Sequence, residues 1–246
     1  MPMLALIVIF ALLGSVGALA GAALLLLFPE SVRKRLLPML LSFAVGTLLG
    51  GAFLGLIPKG LERTEPLAFM TTLLAGFVAF FALEKLLLKR HSLAHEPAGT
   101  GVAGPLILIG DAFHNFVDGI VIAAAFLTST ELGITVALAV IAHEIPQEIG
   151  EFAILLENGY SRTRALLLNA LSAIATLPGA ILAYFWLGQF QELVPHMLAI
   201  SAASFIYVAA VDLVPSLHKK TSRGSSARQL VLLCAGMATI GAIVAA

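Results

Sequence analysis

Between Asp111 and Glu151 an apolar stretch of chain carries a dense set of residues able to hold a divalent cation. The segment DAFHNFVDG supplies Asp111, His114, Asn115 and Asp118, and AHEIPQEIGE supplies His143, Glu144, Gln147, Glu148 and Glu151. Residues four apart stack on one face of a helix. His114 and Asp118 are so related, as are His143 with Gln147 and Glu144 with Glu148, while Asp111 and Glu151 extend these rows by a turn. No Lys or Arg occurs from His91 to Ser161. Carboxylates buried in such a stretch must be protonated, hydrated, paired with a distant base or neutralised by a bound cation. The neighbouring imidazoles suit the last option. The set His114, Asn115, Asp118, His143, Glu144, Gln147 and Glu148 is therefore a candidate metal site.

The elements that must position these residues are membrane helices. A chain of 246 residues that is 60% hydrophobic and 11% charged, with a mean hydropathy of +1.03, is too apolar for an ordinary soluble domain. Eight runs are long enough to cross a bilayer as helices, at roughly 4–28, 36–57, 67–88, 103–127, 132–157, 164–187, 196–214 and 229–246. The first lacks a basic leader and is read as a retained span. The connections are short, so residues 1–246 are expected to form a single all-α, polytopic membrane domain. Net charge is zero and no basic run is longer than Arg33 to Arg35, which argues against nucleic acid as a partner. The lone Cys234 excludes an internal disulfide framework.

Basic residues predict the orientation. Arg33, Lys34, Arg35, Lys85, Lys89, Arg90, Arg162, Arg164, Lys219, Lys220, Arg223 and Arg228 all flank the loops after the odd-numbered spans, against Lys59 and Arg63 after the second. The positive-inside rule then places those loops in the cytoplasm and both termini outside. Spans four and five run in opposite directions. At about 1.5 Å per residue His114 and Asp118 lie roughly 16 to 22 Å from the inner end of span four, and His143, Glu144 and Gln147 reach a similar depth along span five.

A carboxylate at the centre of a spanning helix costs about 2.5 to 3.5 kcal/mol, so Asp118, Glu144 and Glu148 together cost roughly 7 to 11 kcal/mol. Packing alone gives no reason to keep them. Pro146 removes a backbone donor and is expected to open the helix where the ligands cluster, and Gly119 and Gly150 are expected to permit close backbone approach. Gly17 with Gly21, Gly46 with Gly50 and Gly51 with Gly55 form small-xxx-small pairs suited to helix packing. His91 and His95 share the spacing of a metal pair in a loop, where two histidines carry little weight. Two rivals to a metal carrier stand beside it: an intramembrane zinc metalloprotease, from the HExxH-like start at His143 and Glu144, and a proton-conducting channel built on the buried acids. The first lacks its second histidine, since Gln147 occupies that position.

The pair HNFVDG and HEIPQE resembles the signature of the ZIP (Zrt- and Irt-like) metal transporters, in the subgroup whose second motif begins His-Glu. The likeness continues through GTLLGGAFLGLIP in span two, FFALEK ending span three, NALSAI in span six and SFIYVAAVDLVP in span seven. The resemblance implies eight spans in a 3+2+3 arrangement with inverted repeats, both termini outside, and import of divalent cations by alternating access. It places metal ligands at His114, Asn115, Asp118, His143, Glu144 and Gln147, commonly as a two-metal arrangement. Gln147 stands where the subgroup usually has a second His, and Gly51 and Gly55 stand where relatives often carry Asp and His.

The expectation is a non-enzymatic multi-pass carrier of the cell membrane that moves Zn2+, with Fe2+ or Mn2+ as further cargo, into the cytoplasm. Mixed imidazole, carboxylate and amide ligands suit these ions better than Ca2+ or Mg2+. The metal is cargo and no cofactor is expected; the partners are divalent ions and the lipid bilayer, with a homodimer admitted. Imidazoles bind metal only when deprotonated, so uptake should weaken in acid. Asp111 and Glu151, a turn to the inner side of the ligands, are expected to form the first relay of an exit path.

Overall fold

The computed structural model describes residues 2–93, 103–157, 159–218 and 223–245. Among the described residues there is no strand, and eight helices are long and apolar enough to cross a membrane: α1 (Met3–Leu26), α2 (Ser31–Leu61), α3 (Pro66–Leu83), α4 (Leu108–Thr128), α5 (Thr130–Phe152), α6 (Arg162–Gln189), α7 (Gln191–Val211) and α8 (Ser226–Val244). Among the described residues each of the eight expected runs falls on one of these helices, with ends that differ by a few residues. Arg33 to Arg35 lie inside a helix that starts at Glu30, because Pro29 sets its N-cap and Lys and Arg are good helix formers. His95, and with it the His91 and His95 pair, lies outside the described residues.

Three of these helices contain a widened, π-helical turn. In α2 it covers Gly51–Leu56 and is followed by Ile57 and Pro58; at the end of α7 it starts at Val208, runs past Val211 to Leu213 and is followed by Val214 and Pro215. The cause is the same in both. Proline lacks the N–H that would bond four residues back, so the preceding turn closes in the wider register. In α1 the wide turn Leu13–Gly17 contains Ser15, whose hydroxyl donates to the Ala11 carbonyl at 2.9 Å and so competes with the regular ladder. Pro146 behaves differently from expectation. The helix is continuous from Thr130 to Glu157, so the predicted opening at the ligands is absent, and neighbouring helices tolerate the loss of one donor.

The helices α2, α5 and α7 are the most enclosed, while α3 and α8 present most of their surface outward. The most extensive pairings are α4 with α6, α2 with α8 and α2 with α7, and α5 packs on α1, α2 and α4. Small residues set the closest approaches. A Cβ on Gly119 of α4 would collide with the Thr176 carbonyl and Ala180 of α6, and one on Gly179 of α6 would collide with Phe116 of α4. Gly46 of α2 and Gly236 of α8 meet each other's backbones in the same way. In a membrane, where lipid competes equally for apolar side chains, such backbone proximity is the main source of helix association. Gly150 differs from expectation: it is exposed and a Cβ there would meet nothing within 4 Å.

Candidate metal centre

The turn between α4 and α5 is a single residue, Ser129, and it is pinned from both sides. The Ser129 hydroxyl accepts from the Leu132 N–H at 3.1 Å, capping α5. Arg63, from the connection after α2, donates to the Thr128 carbonyl at 3.0 Å and so satisfies an acceptor at the end of α4. A turn this short forces two long helices to run side by side. Residues at equal distances from it therefore meet, and His114, Asp118, His143 and Glu144 all lie about 15 to 21 Å below it at 1.5 Å per residue.

These four side chains each offer one ligand atom, all within 4.8 Å of one another. His143 Nε2 lies 3.2 Å from His114 Nε2, 3.2 Å from Asp118 Oδ2 and 3.5 Å from Glu144 Oε1. His114 Nε2 lies 3.4 Å from Glu144 Oε1 and 3.8 Å from Asp118 Oδ2. Four ligands around a tetrahedral ion, at about 2.0–2.2 Å from it, stand about 3.3–3.6 Å apart. The spacing thus suits an ion of the Zn2+ class. None of the four carboxylate oxygens of Asp118 and Glu144 has a satisfactory hydrogen bond, and all are shielded from solvent. Unpaired buried carboxylates facing imidazole nitrogens are what a cation would balance.

The His143 imidazole is prepared for that task. His143 Nδ1 lies 3.0 Å from the Ala139 carbonyl, which fixes the proton on Nδ1 and leaves Nε2 with its lone pair toward the cluster. Phe205 of α7 stands edge-on to the His143 ring at a centroid distance of 6.2 Å. Its own place is left by Gly51 of α2, where a Cβ would come within 3.1 Å of the Phe205 ring. His114 is the accessible member, its side chain 20% exposed against 1% for Asp118, His143 and Glu144. A cation reaching the group would meet His114 first.

The other expected ligands surround this group without joining it. Asn115 is buried; its amide donates to the Asp111 backbone carbonyl at 3.2 Å and Oδ1 at 3.0 Å, and its oxygen accepts from Thr176 Oγ1 at 3.0 Å. Gln147 Nε2 points to Asp111 Oδ1 at 3.4 Å and Glu151 Oε1 at 3.2 Å. Glu148 is buried with both oxygens unpartnered and lies outside the four-residue group. Asp111 Oδ2 and Glu151 Oε2 are likewise shielded and without a donor.

Sequence reasoning missed Thr176, Asn169 and Phe205. Thr176 starts the second half of α6 after a two-residue turn at Ile174 and Ala175, which brings its hydroxyl to Asn115. Asn169, fully buried, donates to the Glu148 backbone carbonyl at 3.3 Å. Both are polar residues in an apolar span, a signal the sequence does contain. Phe205 carries none.

Comparison with known proteins accords with this geometry. Residues 88–244 match the family model described as ZIP Zinc transporter. Zinc transporter ZIP13 of Pongo abelii is 34% identical, the match covering 82% of this chain and 65% of that protein. Its Mus musculus counterpart is 32% identical over 82% of this chain and 68% of its own length. Zinc transporter YKE4 of Saccharomyces cerevisiae is 29% identical, over 88% and 75% respectively. The chain thus spans slightly under two thirds of the first of these relatives and somewhat more of the others. Taken with the eight apolar helices, these matches place the chain in the ZIP zinc transporter family.

Proposed function

We propose that this protein carries divalent transition metal, Zn2+ first and Fe2+ or Mn2+ after it, through the membrane into the cytoplasm, binding it between α4 and α5. His114, Asp118, His143 and Glu144 hold the ion, Asn115 and Gln147 offer further oxygens, and Glu148 adds charge beside them. The observation that carries this reading is the set of two imidazole nitrogens and two donor-free carboxylate oxygens that lie within 4.8 Å of one another. The relatives' description as zinc transporters supports the choice of cargo. Inward direction, a cell-membrane location, both termini outside and a single domain over residues 1–246 rest on the distribution of Lys and Arg and on the family likeness. The matching wide turns of α2 and α7, each closed by an aliphatic residue and Pro, support inverted repeats in a 3+2+3 arrangement.

Asp111 and Glu151 form the first step of the way out. Each keeps one shielded oxygen without a donor, so a cation leaving the central ligands has somewhere to go that holds it less tightly. The protease alternative loses support, since the residue at its fifth position directs an amide N–H to carboxylates. Uptake of Zn2+ by the purified protein in liposomes tests the reading. Uptake that persists in full when both His114 and His143 are replaced by Ala would defeat it.

A further inference from the structure

The two neutral side chains beside the centre, Asn115 and Gln147, could each present either end of an amide to a cation. Only the oxygen end can bind one. Gln147 has carboxylate oxygens at 3.4 Å (Asp111 Oδ1) and 3.2 Å (Glu151 Oε1) from the same nitrogen. Carboxylates accept and never donate when ionised, so the nitrogen has to face them and the oxygen has to face away. Asn115 is oriented by the same logic. Its nitrogen meets Asp111 twice, and its oxygen faces the Thr176 hydroxyl at 3.0 Å, whose one proton is shared with the Ala173 carbonyl at 2.9 Å. Asp111 Oδ1 thus collects an amide from its own helix and one from α5, while Thr176 closes the network from α6.

We propose that Asp111 and Glu151 are positioning residues for metal selectivity: they lock the Gln147 amide, and Asp111 also the Asn115 amide, with carbonyl oxygen offered to the transported ion. The proposal rests on the metal reading of the site, and uses Oδ1 and Oε1, leaving Oδ2 and Oε2 for the exit step. Its consequence is a choice of cargo. A fixed amide oxygen adds a hard, neutral donor to a set of imidazoles and carboxylates, which favours Mn2+ relative to Zn2+ more than a freely flipping amide would. Residues that orient a ligand typically change metal affinity about 10- to 100-fold when removed.

The test separates orientation from charge. Full-length protein in detergent is titrated with Zn2+ and with Mn2+ by equilibrium dialysis. The pair Asp111→Asn with Glu151→Gln removes both charges and keeps an acceptor oxygen at each position. The pair Asp111→Leu with Glu151→Met removes charge and acceptor at similar volume. The amide pair should hold the Mn2+ to Zn2+ affinity ratio within about threefold of the natural protein, and the apolar pair should lower it by about tenfold or more. Equal ratios in the two pairs, or a ratio unmoved by the apolar pair, overturn the proposal. Should the apolar pair not fold, Gln147→Leu deletes the oriented oxygen itself and must produce the same fall in ratio; an unchanged ratio there overturns it equally. Failure of the underlying metal reading is distinct, because Zn2+ binding would then survive replacement of both His114 and His143.

Discussion

A methyl group on Gly119 probes how closely α4 and α6 must meet for the centre to form. A Cβ there would stand 2.7 Å from the Ala180 nitrogen and nearer still to the Thr176 carbonyl oxygen. Ordinary contact begins near 3.5 Å, so α6 has to retreat by about 0.8 Å or more. The Thr176 to Asn115 hydrogen bond, 3.0 Å long, would then be stretched beyond bonding distance. Overpacking of this kind costs about 1–3 kcal/mol, the lost hydrogen bond about 0.5–1.5 kcal/mol, and the better helix propensity of Ala returns about 1 kcal/mol. The net is a loss of roughly 0.5–3.5 kcal/mol. Gly150→Ala is the matched control, since a Cβ there meets nothing within 4 Å and only the propensity gain of about 1 kcal/mol remains. Thermal unfolding in detergent should rank Gly119→Ala below the natural protein and Gly150→Ala level with it or above, at about 2–4 °C per kcal/mol for a chain of this size. Zn2+ uptake should fall in the first variant alone. If Gly119→Ala melts no lower than Gly150→Ala, the close backbone contact of α4 and α6 is not what holds this region together.

His114→Ala, Asp118→Ala and Glu144→Ala should each remove most metal uptake while leaving the protein inserted; normal uptake in all three liposome preparations would refute the centre. Gln147→His should raise binding of Zn2+ relative to Mn2+, because imidazole is the softer donor, and a competition assay with an unchanged preference would refute that role. With Asp111→Asn and Glu151→Gln combined, metal affinity should stay near normal and transport should slow; transport at the normal rate would remove the exit step. Single cysteines at Gly99 and Ser225 should be labelled from the cytoplasm alone and one at Gln189 from outside alone, and labelling of Gly99 from outside would reverse the orientation.

The eight helices were legible because each buries or exposes an apolar run about as long as a bilayer is thick, and that signal depends on composition alone. The meeting of His114, Asp118, His143 and Glu144 was legible too, since the i, i+4 pair His114 and Asp118 and the adjacent His143 and Glu144 lie at similar depth on antiparallel neighbours. What could not be read is how side chains divide their hydrogen bonds. Asn115 and Gln147 look like metal ligands in sequence, yet each spends its nitrogen on Asp111, Asn115 one turn along its own helix and Gln147 across from α5 to α4. Gly119 and Gly150 look equivalent in sequence; one touches the α6 backbone and the other faces open space. Pro146 was expected to break its helix from local chemistry, and packing overrode it. The wide turns before Pro58 and Pro215 run the other way, with local chemistry prevailing.

Charge neutrality connects the proposed centre to the proposed way out. One divalent cation held by neutral His114 and His143 balances Asp118 and Glu144 and no more. Asp111, Glu148 and Glu151 stay close by, shielded, with four of their oxygens lacking any donor and no Lys or Arg in the sequence from His91 to Ser161. In a medium of low dielectric such a group attracts a second positive charge strongly. A cation that moves from the four central ligands to the Asp111 and Glu151 pair therefore trades one balanced position for another, without crossing an uncompensated one. On the proposed path nitrogen ligands are present only at the first position, so the first would hold Zn2+ more firmly and the second would let it go. Firm binding where the ion is selected and weak binding where it is released would then follow, on this proposal, from which residues carry imidazole and which carry carboxylate alone.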